Sequence, residues 1–289
     1  MPFEDVMMSV QRMLVATDAL AAIGAELSLK QPGQDAGDPR VSSALSAVSA
    51  AAGVDLDSLA PPQQGMVLGL IRLYFAQADD LLREPGRGPG WTYTDPLVLD
   101  GMGRGSMMIP QLLAAAPEFG SVTSLLDVGA GVGLLAVSAA NVWPSATVVG
   151  IDTWEPALER ARANVKDAGL GDRITLRKQD VTALDDVDAY DCAWLPTFFL
   201  ADDVMQVAIT NVMRALRPDG RIVLGLFAAP PDPVAQATTT LRTIRSGGAD
   251  LDTKRATDLL RDAGYESIRT IEPQGPPIIF VIGQKASPA

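Results

Sequence analysis

Ser124-Leu125-Leu126-Asp127-Val128-Gly129-Ala130-Gly131-Val132-Gly133-Leu134-Leu135-Ala136-Val137 is the stretch on which the fold turns. An apolar run of strand length meets three glycines at alternate positions and then the start of an apolar helix. Glycines let the backbone turn tightly against a ligand, and the first N–H groups of the helix have no partner within it. That arrangement suits a nucleotide-like cofactor. Two details separate it from a dinucleotide-binding turn. The position three residues after Gly131 is Leu134, where the dinucleotide fingerprint has another glycine. Asp127 places a charge near the carboxyl end of an apolar strand, where burial is costly unless a cationic or hydrogen-bonding group meets it.

On both sides of this junction short strands alternate with helical stretches. Strands are expected at 122–128, 147–151, 173–177, 189–194 and 221–227, with a final pair near 265–271 and 277–282. Helices are expected at 131–141, 155–168, 202–216 and 253–263. The order predicts an α/β fold, a doubly wound, Rossmann-like and mostly parallel sheet with an antiparallel C-terminal strand. The first third reads differently. Apolar residues recur at three- and four-residue spacing over 3–30 and 62–83, and Asp38-Pro39-Arg40 opens a shorter helix to Ala51 that Gly53 closes. Pro85-Gly86-Arg87-Gly88-Pro89-Gly90 cannot continue a helix and marks a boundary. We therefore expect an all-helical N-terminal region over 1–90, a cap or dimerisation region, and the Rossmann-like domain over 91–289. One further helix is expected from Asp95-Pro96 to Ala116.

The 289 residues carry 23 Lys plus Arg against 35 Asp plus Glu and no histidine, a formal charge of -12. Such a surface repels phosphate backbones and anionic membranes, so nucleic acid and membrane are not the expected partners. The single cysteine, Cys192, excludes an internal disulfide and a multi-cysteine metal site, and no metal is expected. A basic leader is missing from the first residues. The apolar N-terminal stretch is interrupted by Arg12, Asp18 and Glu26, and no segment is expected to span a bilayer, which makes the cytoplasm the expected location.

From Asp127 to Gly133 the chain resembles the class I S-adenosylmethionine-dependent methyltransferases, whose first motif is an acidic residue, any residue, and Gly-x-Gly-x-Gly. The resemblance covers about 165 residues, roughly 120 to 285. It implies that Gly129, Ala130, Gly131 and Gly133 lie against the methionine portion of S-adenosylmethionine, with Asp127 near its amino end. Asp152 ends the next strand about 20 residues on, a spacing that puts a carboxylate beside a ribose; Thr153 after it and Trp194 are further candidate cofactor-binding residues, and alternatively Asp152 or Thr153 caps the helix that follows. Asp180 and Val181, after the strand Ile174-Thr175-Leu176-Arg177-Lys178, match the motif whose aspartate and adjacent N–H meet adenine, although Asp185, Asp186 and Asp188 leave an ordinary acidic loop open. Tyr190-Asp191-Cys192-Ala193-Trp194-Leu195-Pro196-Thr197-Phe198-Phe199 matches the strand whose end faces the methyl group. It lacks the Pro-Pro-aromatic pattern of enzymes that methylate base amino groups. Arg217-Pro218-Asp219-Gly220 has the family's helix-to-strand turn.

The resemblance implies a transferase that moves a methyl group to a small molecule, chiefly by positioning it. The missing histidine removes one common general base and leaves the catalytic residues unassigned. Trp91, Tyr93, Met102, Met107, Met108, Trp194, Phe198 and Phe199 are candidate walls of the acceptor site, between the sheet's carboxyl edge and the helical cap. Arg104 is a candidate carboxylate clamp for cofactor or substrate. A protein using the same cofactor without methyl transfer, a nicotinamide-dependent oxidoreductase, and a homodimer formed through the N-terminal helices are the other readings.

Overall fold

A computed structural model describes residues 2–35, 37–228, 230–273 and 278–287. The chain forms two compact units, 1–83 with 100–102, and 84–99 with 103–289.

The first unit holds three helices, α1 (Phe3–Leu29), α2 (Pro39–Ala51) and α3 (Pro61–Arg83). Asp38 caps α2 by accepting the Arg40 N–H, with Pro39 at the first turn, where its missing N–H costs nothing. Ile23, Leu27, Leu56, Leu68 and Ile71 make the core of this unit. Buried Glu26 accepts the hydroxyls of Ser46 and Ser49 at 2.9 and 2.5 Å, so its carboxylate is hydrogen-bonded where it leaves water. Met8, Met13, Leu14 and Val15 of α1 are exposed. Contrary to the sequence expectation, α1 is long and apolar enough to cross a membrane by length and composition, because its charges lie far enough apart for an 18-residue window to hold at most two.

The second unit is built on a seven-stranded sheet: β1 (Ser124–Val128), β2 (Thr147–Asp152), β3 (Ile174–Lys178), β4 (Tyr190–Pro196), β5 (Leu216–Phe227), β6 (Glu266–Ile271) and β7 (Ile278–Gln284). Their order is β3-β2-β1-β4-β5-β7-β6. The first five strands run parallel; β7 is antiparallel to both β5 and β6. Pro277, expected to open the last strand, lies outside the described residues. Between β1 and β4 the strand order reverses, and the carboxyl ends of strands at such a switch form a ligand crevice. Strand alternation sends Leu126 and Val128 into one core with Ile209, Leu224 and Leu260, and Leu125 into the other with Leu113, Val223 and Phe280.

The covering helices are α4 (Pro96–Ser106), α5 (Ile109–Ala114), α6 (Leu134–Val142), α7 (Glu155–Asp167), α8 (Asp202–Ala215), α9 (Pro233–Arg245) and α10 (Thr253–Asp262). Three of these elements differ from expectation. The single helix over 95–116 is two, because Pro110 has no N–H to return to residue 106 and its ring would collide with that carbonyl. Helix α9 was not foreseen; three consecutive threonines, Thr238 to Thr240, are poor helix formers, and Asp232 starts it by capping the Ala235 N–H at 2.8 Å. Strand β5 begins at Leu216, with an irregularity against β4 between Tyr190 and Cys192 that takes up the extra residues. There Asp219, not Gly220, adopts positive φ (64°). Gly220 is needed for room: a Cβ would stand 2.8 Å from the Arg217 carbonyl and 3.0 Å from that of Tyr190.

Candidate cofactor site

All three glycines of the turn adopt positive φ, 69° at Gly129, 54° at Gly131 and 74° at Gly133, a region that side chains disfavour. The turn is fastened to β2 by backbone bonds: Gly129 and Ala130 both donate to the Ile151 carbonyl, at 2.9 and 3.0 Å. Gly131 donates to Asp152 Oδ2 at 2.7 Å. Asn164 on α7 donates to the Val132 carbonyl at 2.9 Å. The glycines then divide by function. A Cβ on Gly133 would press on Ala161 Cβ at 3.1 Å, so this glycine serves helix packing; at Gly131 the nearest atom would be 3.9 Å away, on the turn itself, so this side is open.

Asp127 is 0% exposed, and neither carboxyl oxygen has a hydrogen-bond partner among the described residues. Burial, and then the charge of Asp152, pushes its pKa up to about 8. Asp152 is held differently. Oδ2 takes the Gly131 N–H and Oδ1 takes the Trp154 N–H at 2.8 Å. Burial raises its pKa, and the backbone donors of Trp154, Gly131 and Thr153 work against that rise. Neither Asp152 nor Thr153 caps α7; Trp154 occupies that position without a side-chain cap bond, and Thr153 is exposed.

Asp180 is exposed, and its Oδ1 accepts both the N–H and the hydroxyl of Thr182, each at 2.8 Å, which caps the short turn Val181–Ala183. Val181 is buried in the sheet core. Trp194 corrects the sequence reading: it is core, 3% exposed, packed edge-on to Phe280 at 5.9 Å and lying over the Cα of Gly225, where a Cβ would come within 2.1 Å of the indole. The strand alternation that sets Trp194 opposite Asp127 turns its ring into the layer under the sheet. Cys192 is buried, and burial pushes its thiol up to about 12, in keeping with a structural residue.

Other candidates gather. Trp91 meets Tyr93 at 5.0 Å and Phe199 at 5.4 Å; Phe199 meets Phe198 at 4.9 Å, which stacks on Phe227 at 4.4 Å. This aromatic row lies beyond the carboxyl ends of β4 and β5. Trp91 also packs with Val132, Leu134 and Trp154 beside the glycine turn. Sequence reasoning overlooked Trp154, whose indole N–H donates to the Tyr93 carbonyl at 2.9 Å and so ties 91–93 to the end of β2. An aromatic two residues after the carboxylate was its signal. Gly103 brings α4 against the turn, since a Cβ there would overlap Val132 Cγ2 at 2.2 Å. Arg104 beside it is exposed and has no charged partner among the described residues; Met107 and Met108 are 38% and 37% exposed. Met102 falls with the first unit. Among the described residues no cluster of acidic or cysteine side chains could hold a metal ion.

The carboxylates fit the charge of S-adenosylmethionine: an unpartnered acid lies on the strand that leads into the turn, two residues before Gly129, and at Gly131 no side chain fills the space. Residues 125–220 match the methyltransferase domain family. The U6 snRNA (guanine-N(2))-methyltransferase THUMPD2 of Mus musculus is 34% identical over 118 residues, 39% of this chain and 22% of that protein. The 27-O-demethylrifamycin SV methyltransferase of Amycolatopsis mediterranei is 33% identical over 149 residues, 49% of this chain and 53% of its own length. The chain thus spans between about a fifth and a half of these two relatives. Solved structures match nearly its whole length, two among them as follows. An O-methyltransferase family protein from Burkholderia thailandensis has a TM-score of 0.71 at 17% identity, covering 98% of both chains. Human N-acetylserotonin methyltransferase in complex with SAM has a TM-score of 0.70 at 13% identity, covering 98% of this chain and 96% of the other. Residues 125–220 are therefore similar to the methyltransferase domain family, and the chain has the fold of these solved methyltransferase structures.

Proposed function

We propose that this protein is an S-adenosylmethionine-dependent methyltransferase that acts on a small molecule. The observation that carries the reading is the pairing of an unpartnered buried Asp127 with a glycine turn that Asp152 holds open at Gly131. When bound, the cofactor would supply a methyl group on a sulfonium, from which a neutral thioether departs without activation. The chain's residues have to seat it, align an acceptor and exclude water. Asp152 keeps unused acceptor lone pairs on both oxygens for ribose hydroxyls, and the N–H after Asp180 is available to adenine. Trp91, Tyr93, Phe198 and Phe199 supply apolar walls, and Arg104 is free to meet a carboxylate.

The net charge of -12 favours a small acceptor over RNA, although the mouse relative is named for an RNA substrate. The test is transfer of label from methyl-labelled cofactor to a panel of phenols, carboxylic acids and amines, with structured RNA alongside. Label in a small molecule is the expected result; label in RNA alone, or cofactor binding without transfer to any acceptor, would overturn the reading. The exposed apolar residues of α1 support a homodimer through the N-terminal helices, which sedimentation at several protein concentrations checks.

A further inference from the structure

Asp127 sits at the carboxyl end of β1, between Gly150 of β2 and Trp194 of β4 in register. Neither neighbour offers a side-chain donor to it, and neither oxygen meets any donor among the described residues. Nor does any solvent reach it, since the residue is 0% exposed. The contrast with Asp152 is sharp: that carboxylate has a backbone N–H on each oxygen. It is also the charged group whose field acts on Asp127, and the sign is repulsive. A bare carboxylate in such a place has no compensation from hydrogen bonds or from a cation, and holding a proton relieves it. The same surroundings make an arriving cation the strongest competitor for that proton.

We propose that Asp127 holds a proton in the free protein and surrenders it to solvent when the α-ammonium of S-adenosylmethionine enters the glycine turn, so that cofactor binding is coupled to the release of one proton. The inference rests on the proposed cofactor. In the exchange the O–H bond of the carboxyl breaks, its proton goes to the buffer, and the ammonium keeps its three hydrogens. A neutral acid and a cation become an ion pair and a free proton. Burial works in the direction required, raising the Asp127 pKa to about 8, so that near pH 6.5 the carboxyl is protonated while an α-ammonium, with an ordinary value of about 7.7–8.0, is still charged. The coupling makes the affinity for the cofactor rise with pH, about tenfold per pH unit, below the values at which the carboxyl and the ammonium titrate.

Calorimetric titration of the full chain near pH 6.5 in buffers of low and high ionisation enthalpy reads the proton directly. With S-adenosylmethionine about one proton per site is expected to leave. S-adenosylhomocysteine, which keeps the ammonium and lacks the sulfonium, is expected to release the same. Asp127→Asn is expected to bind at least tenfold more weakly and to release none. Difference infrared spectra of the wild-type protein supply a second readout, in which the stretch of a protonated carboxyl disappears on cofactor addition. Wild-type binding with proton release close to zero overturns the proposal, as does equal release from Asp127→Asn. Release with the sulfonium cofactor alone overturns the assignment to the ammonium. Failure of both ligands to bind would instead defeat the cofactor reading itself.

Discussion

Gly131 gives its backbone N–H to Asp152 Oδ2 at 2.7 Å, so the second glycine of the turn and the carboxylate that ends β2 form one hydrogen-bonded unit. Asp152 is thereby part of the scaffold before it is part of a binding site. Replacing it with Asn turns one acceptor into a donor facing either the Gly131 or the Trp154 N–H. The ligand-free protein should lose about 1–3 kcal/mol of stability, alongside any loss of cofactor affinity. Chemical denaturation without ligand checks this; an unchanged midpoint would show that the turn stands without Asp152.

Gly131 and Gly133 should respond differently to alanine. At Gly131 the added methyl enters open space, and the cost to the fold is the positive φ alone, about 1 kcal/mol. At Gly133 the methyl also meets Ala161, and the cost should be higher. Cofactor affinity should fall at least tenfold in Gly131→Ala, measured by calorimetry, because the methyl occupies the space the methionine portion would use.

Gly225→Ala would drive a methyl into the Trp194 ring and should cost about 1–3 kcal/mol. Adding Trp194→Phe should recover part of that loss, and a double-mutant cycle on unfolding free energies measures the coupling. Strictly additive effects would mean that the indole moves aside at no cost.

Asp127 should also show in the pH dependence of stability. Its pKa is raised in the fold, so its contribution is fully present below the unfolded value near 3.8 and is lost as pH rises toward about 8. Asp127→Asn removes this titration. The wild type should lose on the order of a few kcal/mol relative to the variant between pH 4 and pH 8, read from denaturation midpoints across that range. Parallel pH profiles would show that Asp127 is ionised in the fold.

The sheet was legible because strand, glycine turn and helix follow one another with clear changes of period around Asp127, and the same rhythm repeats to β5. Asp127 and Asp152 were legible as charges at the ends of apolar strands. What the sequence hid depends on through-space contact. Trp194 lies on β4, where the pleat packs its ring on Gly225; Trp91 lies in the irregular segment between α3 and α4, and only the folded chain brings it beside Val132. Asp180 was read for its motif position, and its cap on Thr182 is a local bond that spacing does not reveal. Trp154 matters through a partner 61 residues away, the Tyr93 carbonyl.

The placement of β7 between β5 and β6 has a consequence for synthesis. Strand β5 pairs along its outer edge with residues 278–284, the last strand of the sheet to leave the ribosome. Until then a long apolar strand, from Arg221 to Phe227, shows an unsatisfied row of peptide groups to any neighbouring chain. Nascent chains stalled before residue 278 are therefore a form of this protein prone to edge-to-edge aggregation and in need of a chaperone, while emergence of residues 278–284 covers that edge of β5.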